Sequence, residues 1–444
     1  MRTVSNTFET VRYWAGQQLL HSPFHPLYLK VSGKEPKPQT YEQWLALERP
    51  GEILELDPDR FDLILAPGVI PSRDAIHWLV QNAERTGAAC IYADEDQIDM
   101  QGRRHSPVFR PDWSPELNAN CDYVGGSFLR RLQGGDAASW ARVPRVLFHR
   151  RTPQKPVFEM REAELPRNTG VLTSVIVCSR NAQLLDSCFA ALRAKSDGAA
   201  LELIAVAHMN QGPGEALLQV SARYGARVVL YSEAFHFGRM CNLGARDAKG
   251  EFLLFLNDDV TPLNQHWLHW MLAQAQRPKT GAVGALLYFP DGRIQHAGVM
   301  IGTPNGAGHP GRLSNGSPLW PWLTITREVS AVTGACLLMP QPVFQEVDGF
   351  DEIFPVNYND VDLCLRAARK GYRIVLEARA ILEHAESATR TIGIRYAERQ
   401  RFLDRWSSMP RRDDPYFNPN LTDNELLLPD PEAHSRIAAG VSIL

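Results

Sequence analysis

Three polar residues follow a short apolar run in the second half of the chain. The run Phe252 to Leu256 (FLLFL) leads directly into Asn257, Asp258 and Asp259. Carboxylate oxygens are preferred ligands of Mg²⁺ and Mn²⁺, and sites for these ions keep coordination positions for phosphate oxygens. The pattern predicts that Asp258 and Asp259 hold such a cation, with Asn257 beside them. Strand-to-turn junctions also use Asp and Asn for local hydrogen bonds, which leaves a structural role open.

A second acidic pair opens a predicted helix. Asp360 and Asp362 lie in the segment YNDVD, and the following LCLRAARK has apolar residues at helical spacing before Gly371. Because the two carboxylates are two positions apart, they project in different directions, and at most one faces a reacting atom. The alternative is that both only cap the helix and complement its dipole.

A histidine follows a further predicted strand that begins at Arg373. His384 lies in the segment EHAES, between Glu383 and Ala385. An imidazole at this place can bind a metal or a phosphate. A structural hydrogen bond is the alternative role for a single histidine.

Strands and helices alternate around these residues. In each unit a β-branched or apolar run is followed by an amphipathic segment, which indicates an α/β fold with a mainly parallel central sheet. Ligands of such sheets bind beyond the carboxyl ends of the strands, where Asn257 to Asp259 lie. The predicted strands are 171–178, 201–207, 227–231 and 251–256, and the predicted helices follow Asn181 and cover 215–224 and 239–248.

The length of 444 residues exceeds what one core usually supports, so two globular units, or one unit with a large appendage, are expected. Segments rich in proline and charge, 34–38 and 162–170, separate the patterned regions. The predicted organisation is a helical extension at 1–39, a shortened α/β unit at 40–165, a main unit at 166–428 and a tail at 429–444.

The two units share a sequence echo. Residues 61–71 (FDLILAPGVIP) superpose on residues 252–262 (FLLFLNDDVTP) at one constant offset. Duplication is the simplest account. The first copy has Ala66, Pro67 and Gly68 where the second has its polar triplet, and none of these three has a side-chain oxygen. The first copy therefore cannot hold a cation at this place.

Composition narrows the classes of partner. The chain has 47 basic and 50 acidic residues without a basic block, which argues against nucleic acid. Seven scattered cysteines without a C-x-x-C pair fit a reducing compartment. No apolar run is long enough to span a bilayer, so we expect a cytoplasmic protein. The segment Phe8 to Leu20 has helical apolar spacing and either packs on the body or contacts the inner membrane peripherally.

From Val171 to about Leu428 the chain resembles bacterial glycosyltransferases of family 2, in the rhamnosyltransferase-like branch that builds surface polysaccharides. The match is collinear over seven segments, and that makes it specific. These segments are SVIVCSRN (174–181), FLNDD (255–259), DGRIQHAGVMIG (291–302), SAVTGACLLM (330–339), GFDE (349–352), YNDVDLCLRAARKGYRIV (358–375) and DPYFNPNL (414–421).

The resemblance implies a GT-A fold and transfer of a sugar from a nucleotide-diphosphate donor, with dTDP-rhamnose and a UDP-sugar as candidates, to a glycan or lipid-linked glycan. It further implies that residues 40–155 are a truncated copy with a scaffold or acceptor-guiding role, since YADED (92–96) and VPRVLFHRR (143–151) are recognisable there. The residues that it assigns are Ser179 and Arg180 in the nucleotide-contacting loop, Asn257 and Asp258 at the donor, Asp258, Asp259 and His384 at a Mg²⁺ or Mn²⁺ ion, and Asp360 as general base.

Expectations for the acceptor rest on aromatic residues. Trp320 and Trp322 lie in a glycine-rich stretch and can stack on a sugar ring, with core packing as the alternative, and Asp362 is a further acceptor candidate. The expected reaction is a single displacement with inversion, in which Asp360 accepts the proton of the attacking hydroxyl.

Departures from the family pattern define the rival functions. Ala207 stands where the family usually has an aspartate that reads the nucleobase, Cys241 replaces a common asparagine, and Ala385 replaces a second histidine. These losses favour a catalytically inactive carbohydrate- or nucleotide-binding protein, whereas the retained acidic residues and His384 favour an enzyme. A nucleotidyltransferase would need a glycine-rich phosphate loop, and the loop CSRNAQLL contains no glycine.

Overall fold

The fold is taken from a computed structural model of the chain. The predicted extension 1–39, with its Phe8 to Leu20 segment, and the tail beyond residue 430 lie outside the described residues. The structure describes residues 41–45, 52–134, 139–151, 158–167, 170–196, 198–209, 214–317, 319–386, 395–409, 414–422 and 427–430.

Two mixed sheets and their covering helices make up the described chain. The strands are β1 Phe61–Ile64, β2 Val69–Pro71, β3 Cys90–Ile98, β4 Arg104–Val108, β5 Phe128–Arg131, β6 Trp140–Arg150, β7 Thr173–Ser179, β8 Leu201–His208, β9 Arg227–Tyr231, β10 Phe252–Asn257, β11 Val260–Pro262, β12 Thr280–Tyr288, β13 Ile294–His296, β14 Met300–Thr303, β15 Gly306–Gly308, β16 Arg327–Glu328, β17 Cys336–Pro340 and β18 Arg373–His384. The helices are α1 Tyr41–Leu45, α2 Ala75–Thr86, α3 Pro115–Asn120, α4 Ala182–Lys195, α5 Gly214–Arg223, α6 Phe237–Arg246, α7 Trp267–Ala275, α8 Gln341–Glu346, α9 Asn359–Arg369 and α10 Tyr396–Arg405, with a 3₁₀ turn at Pro321–Thr324.

The larger sheet has the strand order β11-β18-β12-β17-β10-β7-β8-β9. Strands β10, β7, β8 and β9 are parallel to one another, as predicted from the alternation of strand and helix. Strand β17 runs antiparallel between β10 and β12, and β18 is parallel to β12. The α/β class is confirmed, and the complete sheet is mixed because β17 and β11 reverse direction.

Local sequence explains how β7 and β10 and the helices beside them form. Strands β7 and β10 are apolar on both faces because helices cover both sides of the sheet. Asn181 caps α4 by accepting hydrogen bonds from the backbone amides of Gln183 and Leu184. Gly244 allows α6 to pack closely on β7, since a Cβ there would lie 2.5 Å from a methyl carbon of Ile176.

The smaller sheet repeats part of the larger one. Its order is β1-β5-β3-β6-β2, and the corresponding strands of the larger sheet follow the order β10-β17-β12-β18-β11 with the same directions at each pairing. In the first unit, helix α2 follows strands β1 and β2. In the second unit, helix α7 follows strands β10 and β11 in the same way. This matched topology supports the duplication that the sequence echo predicts.

One core crosses the predicted boundary near residue 165. Buried aromatic residues of the first unit, Phe109 and Tyr123 among them, belong to the same apolar cluster as Trp322 of the second unit. Asn418, near the end of the described chain, returns to the first unit and donates to Asp94. Among the described residues, no helix combines the length and hydrophobicity needed to cross a bilayer.

Candidate functional site

The end of β10 places two carboxylates beside the loop that follows β7. Register pairs Asn257 with Cys178, so Asp258 lies next to Ser179, whose hydroxyl donates to Asp258 Oδ2 at 2.6 Å. The pKa of Asp258 is raised to about 6, mainly because of burial and also because of the charge of Asp259; the Ser179 hydrogen bond and the positive charge of Arg180 oppose this rise. A bound cation would favour the ionised form of this carboxyl.

His384 joins the same group from the far edge of the sheet. Antiparallel pairing sets His384 opposite Val260, immediately after the acidic pair. Its Nε2 atom lies 3.3 Å from Asp259 Oδ1 and 3.4 Å from Asn257 Nδ2. The ring is only 6% exposed, and its Nδ1 atom is buried without a hydrogen-bond partner within the described part of the chain. Nε2 is therefore the ring nitrogen that faces the acidic pair.

The donor set fits a divalent cation that arrives with a diphosphate. Within the described ranges, no three His, Cys, Asp or Glu side chains are arranged as a complete metal cage. Mg²⁺ sites that bind nucleotides commonly take one or two protein carboxylates and fill the remaining positions with phosphate oxygens and water. Asp258 and Asp259 supply one or two such carboxylates, and the Nε2 atom of His384 lies beside Asp259.

Asp360 is held by two backbone amides. Its Oδ2 accepts from the Gly334 amide at 2.7 Å and its Oδ1 from the Val361 amide at 2.8 Å. The next carbonyl, that of Ala335, accepts from the Asn257 amide at 3.0 Å. Consecutive residues of one loop therefore contact both Asp360 and the acidic end of β10, so the structure brings the predicted base and the predicted donor site together.

Gly334 packs closely at this junction. A Cβ on this residue would lie 3.2 Å from the ring of Phe237 and 3.4 Å from the Cβ of Asp360. The first distance is tight, so the ring would have to shift slightly, and the second is an ordinary van der Waals contact.

Asp362 was a predicted acceptor residue, and the structure corrects this prediction. Its side chain is fully buried and accepts from Arg366 at 2.7 Å, from Arg405 at 2.9 Å and from the indole of Trp406 at 3.1 Å. These bonds attach α10 to α9. Because all of these donors belong to the protein, Asp362 has a structural role.

The predicted stacking of a sugar on Trp320 and Trp322 is also corrected. The two side chains are 1% and 0% exposed, so neither ring offers a face to a ligand. Trp322 donates from Nε1 to the Phe109 carbonyl at 3.1 Å, and Trp320 packs against Phe417. Core packing, the alternative role, is the observed one, because these residues fill the junction with the first unit.

Two histidines that lie beside the Asp360 loop have no role in the sequence-based predictions. His296 and His309 contact one another through their Nδ1 atoms at 3.1 Å. His296 lies within the segment DGRIQHAGVMIG, which carried part of the resemblance but received no role. The resemblance of that segment to the family is the sequence signal for His296. Its contact with His309 depends on the tertiary structure.

Comparison with known proteins identifies the family of the main unit. Residues 169–407, more than half of the chain, match the family described as glycosyltransferase like family 2. The O-antigen biosynthesis protein RfbC of Myxococcus xanthus is 30% identical over 406 residues, which cover 75% of this chain and 31% of that protein. The chain thus spans about a third of the length of this relative.

Further similarities are more distant. An N-acetylglucosaminyl-diphospho-decaprenol L-rhamnosyltransferase of Mycobacterium tuberculosis is 26% identical over 192 residues, covering 40% of this chain and 61% of that protein. Among solved structures, GalNAc-T7 with UDP, GalNAc and Mn²⁺ aligns with a TM-score of 0.39 at 12% identity, over 54% of this chain and 45% of that one.

Proposed function

The chain belongs to the glycosyltransferase-like family 2, and we propose that it transfers a sugar from a nucleotide-diphosphate donor to a glycan or lipid-linked glycan during the synthesis of a surface polysaccharide. The names of the relatives in Myxococcus and Mycobacterium, an O-antigen biosynthesis protein and an L-rhamnosyltransferase, support this class of product and a rhamnosyl donor. The family resemblance adds dTDP-rhamnose and UDP-sugars as the donors to test first. The observation that carries the proposal is the single loop, 333–335, that contacts both Asp360 and the acidic end of β10.

At the donor end, Asp258, Asp259 and His384 would hold Mg²⁺ or Mn²⁺. The cation, when bound, neutralises charge that develops on the departing diphosphate. Ser179 orients Asp258 through its hydroxyl, and the exposed Arg180 provides a positive charge at the same loop. These fixed groups stabilise a negatively charged leaving group better than mobile water does.

At the acceptor end, Asp360 acts as the general base. The acceptor hydroxyl transfers its proton to the Asp360 carboxylate while its oxygen bonds to the anomeric carbon, and the bond from that carbon to the diphosphate oxygen breaks. One displacement inverts the configuration. The amides of Gly334 and Val361 fix the orientation of the carboxylate, so geometry supplies most of the rate advantage.

The first unit is proposed as a scaffold, with 40–165 as the truncated copy and 166–428 as the catalytic unit. The buried bonds between Asp94 and Asn418 and between Phe109 and Trp322 support this assignment. No side-chain oxygen is available at Ala66, Pro67 or Gly68, where the catalytic unit has its polar triplet.

A donor screen tests the function. Purified full-length protein is incubated with a panel of dTDP- and UDP-sugars, with Mn²⁺, Mg²⁺ or EDTA, and nucleotide diphosphate release is measured. We expect release that depends on the cation with at least one donor. Asp259→Asn should abolish it, whereas Asp62→Asn, an exposed carboxylate paired with Arg130 in the first unit, should leave it unchanged. A folded protein that binds nucleotide but releases diphosphate from none of the donors would indicate the inactive alternative.

A further inference from the structure

Two histidines that the proposed mechanism does not use adjoin the Asp360 loop. His296 ends β13, and His309 follows β15. The Nε2 atom of His296 accepts from the backbone amides of Gly298 at 3.3 Å and Thr333 at 3.4 Å. Because backbone amides only donate, this nitrogen carries no proton, and the neutral ring has its proton on Nδ1.

The tautomer of His296 determines that of His309. The Nδ1–H group of His296 points at the Nδ1 atom of His309, 3.1 Å away, which must therefore accept. A neutral His309 then carries its proton on Nε2. Burial lowers the pKa of His296 well below its usual value and that of His309 to about 4, so both rings stay neutral at pH 7.

His309 adjoins the candidate site through His296 and the loop 333–335. Adjacent backbone amides, those of Thr333 and Gly334, donate to His296 and Asp360 respectively. Burial has the largest effect on the pKa of His309. Arg312 and His384 lower this pKa further, and the charges of Asp360 and Glu386 raise it. Within the described ranges the Nε2 atom of His309 has no hydrogen-bond partner, and the ring is only half-buried.

We propose that His309 is an acceptor-binding residue whose Nε2–H group donates to an oxygen of the acceptor sugar above Asp360, and that His296 is a positioning residue that fixes this tautomer. The inference rests on the proposed function and extends it to the acceptor. A neutral donor suits a sugar hydroxyl, whereas a diphosphate is better served by cationic groups. Trp320, Trp322 and Asp362 cannot provide this contact because they are buried.

The tautomer is measured first, without any need for activity. Full-length protein labelled with ¹⁵N-histidine is studied by NMR at pH 7, and the signals of His309 are assigned by their loss in His309→Gln. We expect the proton on Nε2 in the wild type and a mixture of tautomers in His296→Asn. A proton on Nδ1, or an imidazolium, in wild-type His309 would overturn the inference even if the His296 variant fails to fold.

The acceptor contact is measured second. With the donor found in the screen, transfer to p-nitrophenyl glycosides is compared with hydrolysis, in which water replaces the acceptor. His309→Phe should raise the KM for the glycoside at least tenfold and leave hydrolysis within twofold, while His309→Gln, which keeps an N–H near the same place, should restore part of the transfer. His105→Phe, an exposed histidine of the first unit, is the matched control.

The outcomes separate the two proposals. Equal effects of His309→Phe on transfer and hydrolysis, or no effect on either, would overturn the acceptor role alone. Wild-type protein that releases no diphosphate from any donor would overturn the proposed function, and the acceptor role with it.

Discussion

The two sheets share one strand order but treat the same position differently. The pairing of β2 with β6 sets Arg150 opposite Val69, and the pairing of β11 with β18 sets His384 opposite Val260. Arg150 forms a bidentate ion pair with Glu95 at 2.9 and 3.2 Å. His384 keeps a buried nitrogen without a partner in the described chain. At this position the first sheet has a side chain that is paired with another residue of the protein. The second sheet has a side chain with one polar atom that lacks such a partner.

The acidic residues of the two units show the same contrast. Asp94 accepts from the Arg110 amide and from the side chains of Asn418 and Asn420 at 2.8 to 3.0 Å. Asp258 has one short side-chain hydrogen bond, from Ser179, and a neighbouring carboxylate. A run of acidic residues is therefore informative about chemistry only once its hydrogen-bond partners have been counted.

The largest effect is expected at Asp360. Asp360→Asn should lower the rate of transfer by about 10²- to 10⁴-fold, because an amide cannot accept the proton of the acceptor hydroxyl. Nucleotide affinity should stay close to that of the wild type, whereas the melting temperature should fall, because the new amide group would face the backbone amide of Gly334 or of Val361. Steady-state kinetics and isothermal titration with the nucleotide diphosphate measure the two properties. Near-normal turnover would show that another group is the base.

The next largest effect is a loss of stability in the first unit. Asp94→Asn should lower the free energy of unfolding by about 1–3 kcal/mol, because the new amide group would face the amide groups of Asn418 and Asn420 at a buried site. Burial raises the pKa of Asp94 to about 6, so removal of its charge offsets part of this loss. Urea denaturation measures this change. The rate of transfer per folded molecule should be unchanged, and a selective loss of rate would mean that the first unit takes part in the chemistry.

The same substitution at Asp258 should have the opposite sign. In EDTA at pH 7.5, Asp258→Asn should raise the free energy of unfolding by roughly 1–3 kcal/mol, because the folded state raises this pKa from 3.8 to about 6 and so destabilises the ionised form. The folded state binds the proton more tightly, so the penalty is present above pH 6 and disappears as the pH falls towards 4. The gain should thus shrink at pH 4.5.

Urea titrations at the two pH values, with Asp62→Asn as control, test this expectation. A gain of equal size at both pH values would assign the effect to something other than ionisation. Loss of stability at pH 7.5 would mean that Asp258 has structural partners comparable to those of Asp94.

The smallest effect is expected where the units meet. Trp322→Phe removes the indole N–H that donates to the Phe109 carbonyl but keeps most of the apolar contact, so it should cost about 1 kcal/mol. The KM for the acceptor should not change. A selective rise of that KM would reinstate Trp322 as an acceptor residue.

Much of the site could be predicted from local patterns. Apolar runs followed by polar residues predicted the ends of β7 and β10, and the shared edge of parallel strands explains why Ser179 meets Asp258. The approach of His384 was implied only by the family resemblance, since it depends on β18 passing beside β12 and pairing with β11.

The incorrect predictions have one physical cause. Asp362 finds Arg405 and Trp406 more than forty positions along the chain, and Trp322 finds Phe109 more than two hundred positions away. Sequence spacing reports neighbours on one helix or strand and carries no information about such distant partners. The contact between His296 and His309 escaped prediction because a turn and a hairpin separate the two rings.

The return of Asn418 and Asn420 to Asp94 has a consequence for anyone who wishes to dissect this protein. A fragment limited to residues 169–407 would retain every side chain proposed for catalysis. It would lack Asp94, Asn418 and Asn420, and without Phe109 the indole N–H of Trp322 would lose its acceptor. The segment that matches the family is therefore shorter than the segment that contains all the buried contacts of its fold.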